Sequence, residues 1–226
     1  NTNLLFPLQK IMMKKTAVLL VNLGSPDSPT PGAVYRYLTE FLNDKRVIDI
    51  NALGRFILVN GIIVPFRHRK SAAVYQKLWT ENGSPLIHYG KRNKEQLQAR
   101  FNEDETKVFL AMRYQVPSID NTLREIEEWG AEKIVVLPLF PQYASATTGS
   151  VQEKVMEVIS KWWSIPEVVF ISQFYDNAKY IQGYVNNAKQ FNLRDYDHVL
   201  RVITTGSDAD EDASEPVETL GGPVGE

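Results

Sequence analysis

The feature that most constrains the fold is a repeated alternation between short apolar runs and longer segments whose apolar residues recur every three or four positions. The run TAVLLVN at residues 16–22 is continuously apolar and ends in a Gly- and Pro-rich segment, which is typical of a strand buried on both faces of a parallel sheet. The same pattern predicts strands at residues 107–112, 133–137 and 168–172, and a further strand beginning near His198.

Segments with helical periodicity lie between these strands. Ser118 is the expected cap of one helix and Gly130 its stop. The predicted helices cover about residues 34–43, 67–79, 85–101, 118–129, 149–163 and 177–191. Alternating strands and helices imply right-handed crossovers, so the sequence predicts an α/β fold with a parallel sheet flanked by helices. Ligands of such folds bind beyond the carboxyl ends of the strands.

Length and composition bound the class of protein. The 226 residues accommodate one α/β domain, or one domain and part of a second. The chain has no cysteine, which excludes a disulfide framework, a thiolate zinc site and a cysteine-ligated iron–sulfur cluster, and which fits the cytosol best. No apolar run approaches the ~18 residues of a membrane span, so a soluble protein is expected.

The two ends differ from the body. Residues 1–13 lack the features of a signal peptide and are interpreted as a disordered leader. Residues 201–226 form an acidic, unrelated tail that is expected to be disordered, which leaves residues 14–200 as the folded part. All 25 Lys and Arg lie at or before Arg201, whereas seven of the 27 acidic residues follow it, so the body carries about +5 and the tail −7. A mildly basic body suits an anionic small ligand, and it is equally ordinary in a domain without one.

Three loops follow predicted strands at the ligand-binding edge of the sheet: residues 24–31, 113–117 and 138–150. Together they offer one cation, Arg113, with several aromatic rings and a row of hydroxyls, which is the chemistry that stacks a flat aromatic ligand and holds its anionic edge. The alternatives are structural: a surface ion pair for Arg113, packing for the tyrosines, and capping of the next helix for the hydroxyls. The residues concerned are Tyr114, Tyr143, Thr147, Thr148 and Ser150. The third loop also enters a helix N-terminus that suits phosphate, but it lacks the Lys of a P-loop.

Residues 47–64 are unusually apolar. From the residues alone, a core helix is the favoured interpretation. The alternative is the lip of an apolar pocket or a membrane-facing surface.

Five motifs are similar, in this order and spacing, to those of bacterial ferrochelatases. They are L-L-V-N-L-G-S-P at 19–26, Y-L-T-E-F-L-N-D-K-R-V-I-D at 37–49, G-S-P-L at 83–86, M-R-Y at 112–114, and L-P-L-F-P-Q-Y-A-S-A-T-T-G-S at 137–150. The resemblance covers about residues 15–200. It implies the first of two Rossmann-like, class II chelatase-like domains that clamp a porphyrin between them. The implied enzyme is a lyase of haem biosynthesis that inserts ferrous iron into protoporphyrin IX or coproporphyrin.

The resemblance also implies which residues bind the porphyrin. Leu23 would lie over one face of the macrocycle, and Arg67, Tyr75 and Ser84 would contact the porphyrin and its propionates. The positions that line the pocket would be Arg113, Tyr114, Phe140, Tyr143, Ser145 and Thr147. Residues 47–64 would edge the pocket and, as in some members, touch a membrane. The implied partners are a porphyrin and ferrous iron, with no nucleic acid and no resident cofactor, in the cytoplasm or at the periphery of the inner membrane.

Metal insertion needs a base and ligands that deliver the iron. The family supplies a His in a Ser-x-His-Gly/Ser-x-Pro motif and a distant Glu. That motif is expected just after residue 200, where the chain reads R-V-I-T-T-G, and no His follows His198. His68, His88 and His198 are interpreted as structural or surface residues, so we expect no catalytic and no metal-binding residue here.

The sequence therefore predicts an incomplete ferrochelatase chain that is inactive alone. Two alternatives remain open: a non-catalytic porphyrin- or haem-binding domain, and an inert fragment that self-associates through residues 47–64. A general Rossmann nucleotide binder is disfavoured, because no G-x-G-x-x-G follows the first strand.

Overall fold

A four-stranded parallel sheet forms the centre of the computed structural model, which describes residues 14–189 and residue 191. The strands are β1 (Thr16–Asn22), β2 (Thr106–Met112), β3 (Lys133–Pro138) and β4 (Glu167–Phe170). Their spatial order is β2-β1-β3-β4, and all neighbours run parallel. The predicted parallel α/β fold is confirmed. The proposed leader, the acidic tail and the strand near His198 lie outside the described residues.

Helices connect and cover the strands. They are α1 (Pro31–Leu42), α2 (Ala52–Ile57), α3 (Val64–Leu78), α4 (Pro85–Gln98), α5 (Ile119–Trp129), α6 (Ser150–Ile159) and α7 (Ala178–Ala188). Two π-helical segments, Leu58–Ile63 and Ser145–Gly149, precede α3 and α6. No helix in residues 14–189 is both long and apolar enough to cross a membrane.

The helix ends differ from the predictions for local reasons. Thr30 accepts a hydrogen bond from the N–H of Ala33, and Pro31 occupies the first turn, so α1 begins before the predicted position 34. Ser118 caps α5 and Gly130 ends it with a φ of +77°, as predicted. By contrast, α6 ends before the predicted position 163, because the chain turns there and Trp162 packs back against the core.

Alternate residues of β1 enter different layers of the core. Leu19 and Val21 lie in the main cluster under α5 and α6, together with Ile126. Leu20 belongs to the opposite layer, which includes Leu110 and the partly buried apolar residues of α4. The prediction of a strand buried on both faces is therefore confirmed. A third cluster joins α1 and α3 to the end of β2.

The α4 side of β3 and β4 is less well covered. Ile134, Val136, Val168 and Phe170 face the main cluster, so the alternate residues of these strands point the other way. Val169 in β4 and Ile171 just after it are 37% and 39% exposed. A groove of about 310 Å³ lies beside this surface and is lined by Leu20, Asn93, Gln96, Leu97, Arg100, Leu137 and Leu139.

The apolar residues 47–64 lie mostly at the surface. Leu53, Phe56 and Ile62 are 70%, 61% and 53% exposed, whereas Val59 and Val64 are fully buried. The core-helix interpretation was wrong for most of this segment, because it packs towards α1 and α3 through one side only. The exposed lip is the alternative that the structure favours.

Candidate functional site

The ends of β1, β2 and β3 are joined at one edge of the sheet. The N–H of Arg113, just after β2, donates to the carbonyl of Asn22 at 2.8 Å. On the other side of β1, the N–H of Leu139 donates to the carbonyl of Val21 at 2.7 Å. The three predicted loops therefore meet at the carboxyl edge, as expected for a ligand site of an open α/β sheet.

A polar network centred on Asp44 connects these loops. Its Oδ2 atom accepts hydrogen bonds from a guanidinium Nη2 of Arg113 at 2.7 Å, from the Tyr114 hydroxyl at 2.8 Å and from the Ser150 hydroxyl at 2.5 Å. Arg113 also donates from Nε to the Ser150 hydroxyl at 2.7 Å. One carboxylate thus holds the end of α1, the end of β2 and the start of α6.

This network is largely shielded from water. The side chains of Arg113 and Asp44 are 17% and 7% exposed. Burial alone would raise the pKa of Asp44, but hydrogen bonds from two hydroxyls and a backbone N–H, with the guanidinium charge, outweigh it and hold this pKa below its usual range. The charge of Arg113 is therefore already matched within the protein.

Tyr114 forms the apolar side of the network. Its ring is fully buried and makes an edge contact with Phe41, with the ring centroids 5.2 Å apart. Burial raises the pKa of its phenol above the usual range, so this hydroxyl remains a hydrogen-bond donor.

Two further cations next to Asp44 contact α6, and one of them also contacts the loop before it. Arg46 forms an ion pair with Glu153 and donates from Nη1 to the Ser145 hydroxyl at 3.1 Å. Lys45 contacts the same carboxylate at 2.5 Å. A Cβ at Gly149 would lie 3.0 Å from the Tyr143 hydroxyl and 3.1 Å from Nη1 of Arg46, so the loop backbone packs closely around this guanidinium.

Comparison with known proteins shows the family of this chain. A family model described as Ferrochelatase matches residues 15–203. The chain belongs to the ferrochelatase family. Ferrochelatase 2 of Shewanella oneidensis is 46% identical over 177 residues, which are 77% of this chain and 54% of that protein. The ferrochelatase of Legionella pneumophila strain Corby is 44% identical over 186 residues, or 82% and 55% of the two chains.

A coproporphyrin III ferrochelatase from Symbiobacterium thermophilum is 44% identical over 169 residues, which are 75% of this chain and 53% of that protein. The chain thus spans about half the length of these curated ferrochelatases. The resemblance that was read from five motifs is confirmed at the level of the family.

The structure brings several of the ten expected porphyrin-binding residues to the edge of the sheet. Tyr143 is exposed there, and Ser145 and Thr147 are half-buried beside it. Phe140 packs against the main core cluster. For the fully buried Tyr114 the geometry favours the packing alternative, and Arg113 forms an ion pair that is buried rather than at the surface.

The other expected residues lie on neighbouring elements. Leu23 and Tyr75 both pack against the third cluster, where the Tyr75 ring meets Tyr37 edge-on at a centroid distance of 6.1 Å. Arg67 is exposed on α3, and Ser84 is the buried residue just before α4.

Sequence reasoning missed the residues that organise this edge. Asp44 and Arg46 stand in a recognised motif, but no helical or strand period relates them to residues about 70 to 107 positions away. The capping alternative for Ser150 is also wrong, because Ser150 lies inside α6 and its hydroxyl donates to Asp44.

The described residues contain no group of three or more His, Cys, Asp or Glu side chains that could hold a metal. The Nδ1 atom of His68 lies 2.9 Å from the Val64 carbonyl, and its ring meets Tyr35 edge-on. His88 lies on the first turn of α4 against Tyr89. Both fit structural roles in this part of the ferrochelatase chain, while His198 lies outside the described residues.

Proposed function

We propose that this chain forms one wall of a porphyrin site and belongs to a ferrochelatase that inserts ferrous iron into protoporphyrin IX or coproporphyrin in haem biosynthesis. The observation that carries the proposal is the meeting of the three loops at the carboxyl edge, next to an exposed apolar lip. A flat macrocycle needs both surfaces, because its rings are apolar and its propionates are anionic.

Different residues would contact the rings and the propionates of the porphyrin. Tyr143 offers an exposed ring, and Ser145 and Thr147 offer hydroxyls on the same loop. Because Asp44 already neutralises Arg113, we assign recognition of a propionate to the exposed Arg67. Arg113 and Tyr114 would then stabilise the loops of this wall without contacting the porphyrin.

Insertion exchanges two pyrrole protons for one ferrous ion. It therefore requires a base, and ligands for iron, facing the macrocycle. The residues of this wall supply orientation and exclude water, and we place the base and the iron ligands outside the described residues. Iron is a substrate in this scheme, and no resident cofactor or nucleic acid takes part. We therefore expect the chain alone to bind porphyrin without inserting metal.

The exposed lip supports peripheral contact with a membrane from the cytoplasmic side. Leu53 and Phe56 on the lip and Phe66 on α3 present apolar side chains, and exposed cations such as Arg69 and Lys70 follow on α3. Apolar and cationic side chains on neighbouring helices suit an anionic lipid surface.

Two other functions stay testable. A non-catalytic porphyrin- or haem-binding domain would use the same wall. An inert fragment that self-associates is favoured by the lip and by the exposed residues Val169 and Ile171 on the sheet.

The deciding experiment is a porphyrin titration of the full chain, followed by Soret absorbance and tryptophan quenching, with ferrous or zinc insertion monitored in the same cuvette. Saturable binding without insertion supports the proposal. Insertion above the uncatalysed rate would contradict the placement of the base elsewhere. If the folded chain does not bind porphyrin, the proposal of a porphyrin site is contradicted.

A matched pair of variants tests the assignment of Arg67. Arg67→Gln should weaken porphyrin binding about tenfold, which corresponds to one charge-assisted hydrogen bond. Arg69→Gln removes the same charge two positions along α3, on another side of the helix, and should leave binding unchanged. Equal effects would mean that general charge, and not a propionate contact, attracts the porphyrin.

A further inference from the structure

Three segments that are remote in sequence meet at the carboxyl edge of the sheet. They are the end of α1 with the turn after it, the end of β2, and the π-helical segment that leads directly into the first turn of α6. The side chains of the turn after α1 hydrogen-bond both to the residues after β2 and to those around the start of α6, and Arg113 also donates directly to Ser150.

The turn makes these contacts through Asp44 and Arg46, which are two positions apart. Asp44 accepts from Arg113, Tyr114 and Ser150, whereas Arg46 contacts Ser145 and Glu153. The backbone N–H of Arg46 also donates to Oδ1 of Asp44 at 2.8 Å. A hydrogen bond within the turn thus orients the Asp44 carboxylate, whose other oxygen is left to contact the other segments.

We propose that Asp44 is a positioning residue: its carboxylate fixes Arg113 and the start of α6, and thereby holds the loop bearing Tyr143, Ser145 and Thr147 in the shape that receives the ligand. This inference rests on the proposed porphyrin site. The side chain of Asp44 is 7% exposed and its Oδ2 already accepts three hydrogen bonds, so it acts through its neighbours and does not itself contact porphyrin.

The chemistry explains why a carboxylate suits this position. Each of the three donors belongs to a different group, a guanidinium, a phenol and an aliphatic hydroxyl, and only an acceptor with several lone pairs can satisfy all of them at once. Removing the negative charge leaves the Arg113 guanidinium poorly compensated inside the protein. The guanidinium would then be held less firmly, and Ser150 would keep its contact with Arg113 but lose the carboxylate that orients both groups.

The test compares Asp44→Asn with two control variants in the full chain. Asp120→Asn breaks an ion pair with Lys154 at 3.0 Å on the α5–α6 side of the sheet. Ile126→Val removes one methylene group from the main core and lowers stability without touching the edge. The readouts are amide hydrogen exchange of residues 113–115 and 139–150, and the Soret titration with protoporphyrin IX and coproporphyrin III.

Asp44→Asn should raise exchange in these two segments about tenfold, leave α4 unchanged and weaken porphyrin binding about tenfold, as expected when buried donors lose a charged acceptor and face an amide instead. The two controls should leave hydrogen exchange in both segments unchanged. This should hold even if Ile126→Val lowers the urea midpoint as much as Asp44→Asn does. If the wild-type chain binds porphyrin and Asp44→Asn matches it in affinity, the positioning role is overturned, whatever the exchange shows.

The outcomes also separate this inference from the porphyrin proposal. If the wild-type chain is folded but binds no porphyrin, the proposed function is contradicted. Hydrogen exchange in the two segments then shows by itself whether Asp44 holds the loop. If Asp44→Asn does not fold, Ser150→Ala applies the same criteria, since it removes one donor and keeps the ion pair of Asp44 with Arg113.

Discussion

Gly24 lies so close to Tyr114 that a Cβ added at Gly24 would stand 2.1 Å from the Tyr114 carbonyl oxygen. The two residues belong to the loops after β1 and β2, and Gly24 has a φ of +118°, in a region that other residues rarely adopt. This contact sets the spacing of two of the three loops that form the proposed site.

We therefore predict that Gly24→Ala destabilises the protein by about 3 kcal/mol or more, because the backbone must shift and the positive φ is strained. Urea unfolding followed by circular dichroism measures the change. Gly32→Ala is the matched control, since nothing lies within 4 Å of a Cβ there, and it should change stability by less than about 1 kcal/mol. Similar losses for the two variants would contradict the close approach of the loops.

The pH dependence of stability should show the contribution of Asp44. Its pKa in the folded protein lies below the usual carboxyl value, so its contribution is present above that usual value and is lost as the pH falls through the lower, folded pKa. We expect Asp44→Asn to flatten the acid limb of the stability curve below about pH 4 and to leave the slope above pH 6 unchanged. The measurement is the urea midpoint from pH 2 to pH 8. An acid limb identical to that of the wild type would contradict the hydrogen bonding of this carboxylate.

The main core should be sensitive to cavities. Leu123 is fully buried between α5 and the sheet, so Leu123→Ala should cost about 2–5 kcal/mol. Leu53→Ala makes the same chemical change on the exposed lip and should cost less than about 0.5 kcal/mol. Chemical denaturation of both variants compares them directly. A large cost for Leu53→Ala would mean that the lip is packed against another part of the protein.

The lip should also determine any contact with lipid. Phe56→Ser removes an aromatic side chain that is 61% exposed, and it should reduce binding to vesicles of anionic phospholipid about tenfold. Trp163→Ser removes an aromatic side chain that is also exposed but lies after α6, and it should have little effect. Vesicle co-sedimentation at low and high salt measures both variants. Equal loss in the two variants would indicate non-specific adsorption of aromatic residues.

Much of the fold follows from local sequence. The strands β1, β2 and β3 begin and end within one residue of their predicted bounds, because continuous apolar runs followed by Gly, Pro or polar loops are local signals. Gly130 ends α5 for the same reason, since a left-handed residue after a helix needs no distant partner. The clustering of three loops also followed, because parallel strands place their carboxyl ends at one edge.

The tertiary structure alone decided which side chains at that edge are free. Asp44 binds partners 69, 70 and 106 positions away, and no local periodicity relates such residues. It neutralises Arg113 and helps to bury Tyr114, two residues that their sequence context presents as ligand contacts. Residues 47–64 show the same difference between what the sequence and the tertiary structure determine. Their apolar character is evident from the sequence, but whether they lie in the core or at the surface depends on how far α1 and α3 cover them. Sequence determines which residues are apolar or charged, and packing across distant segments determines which of them face water.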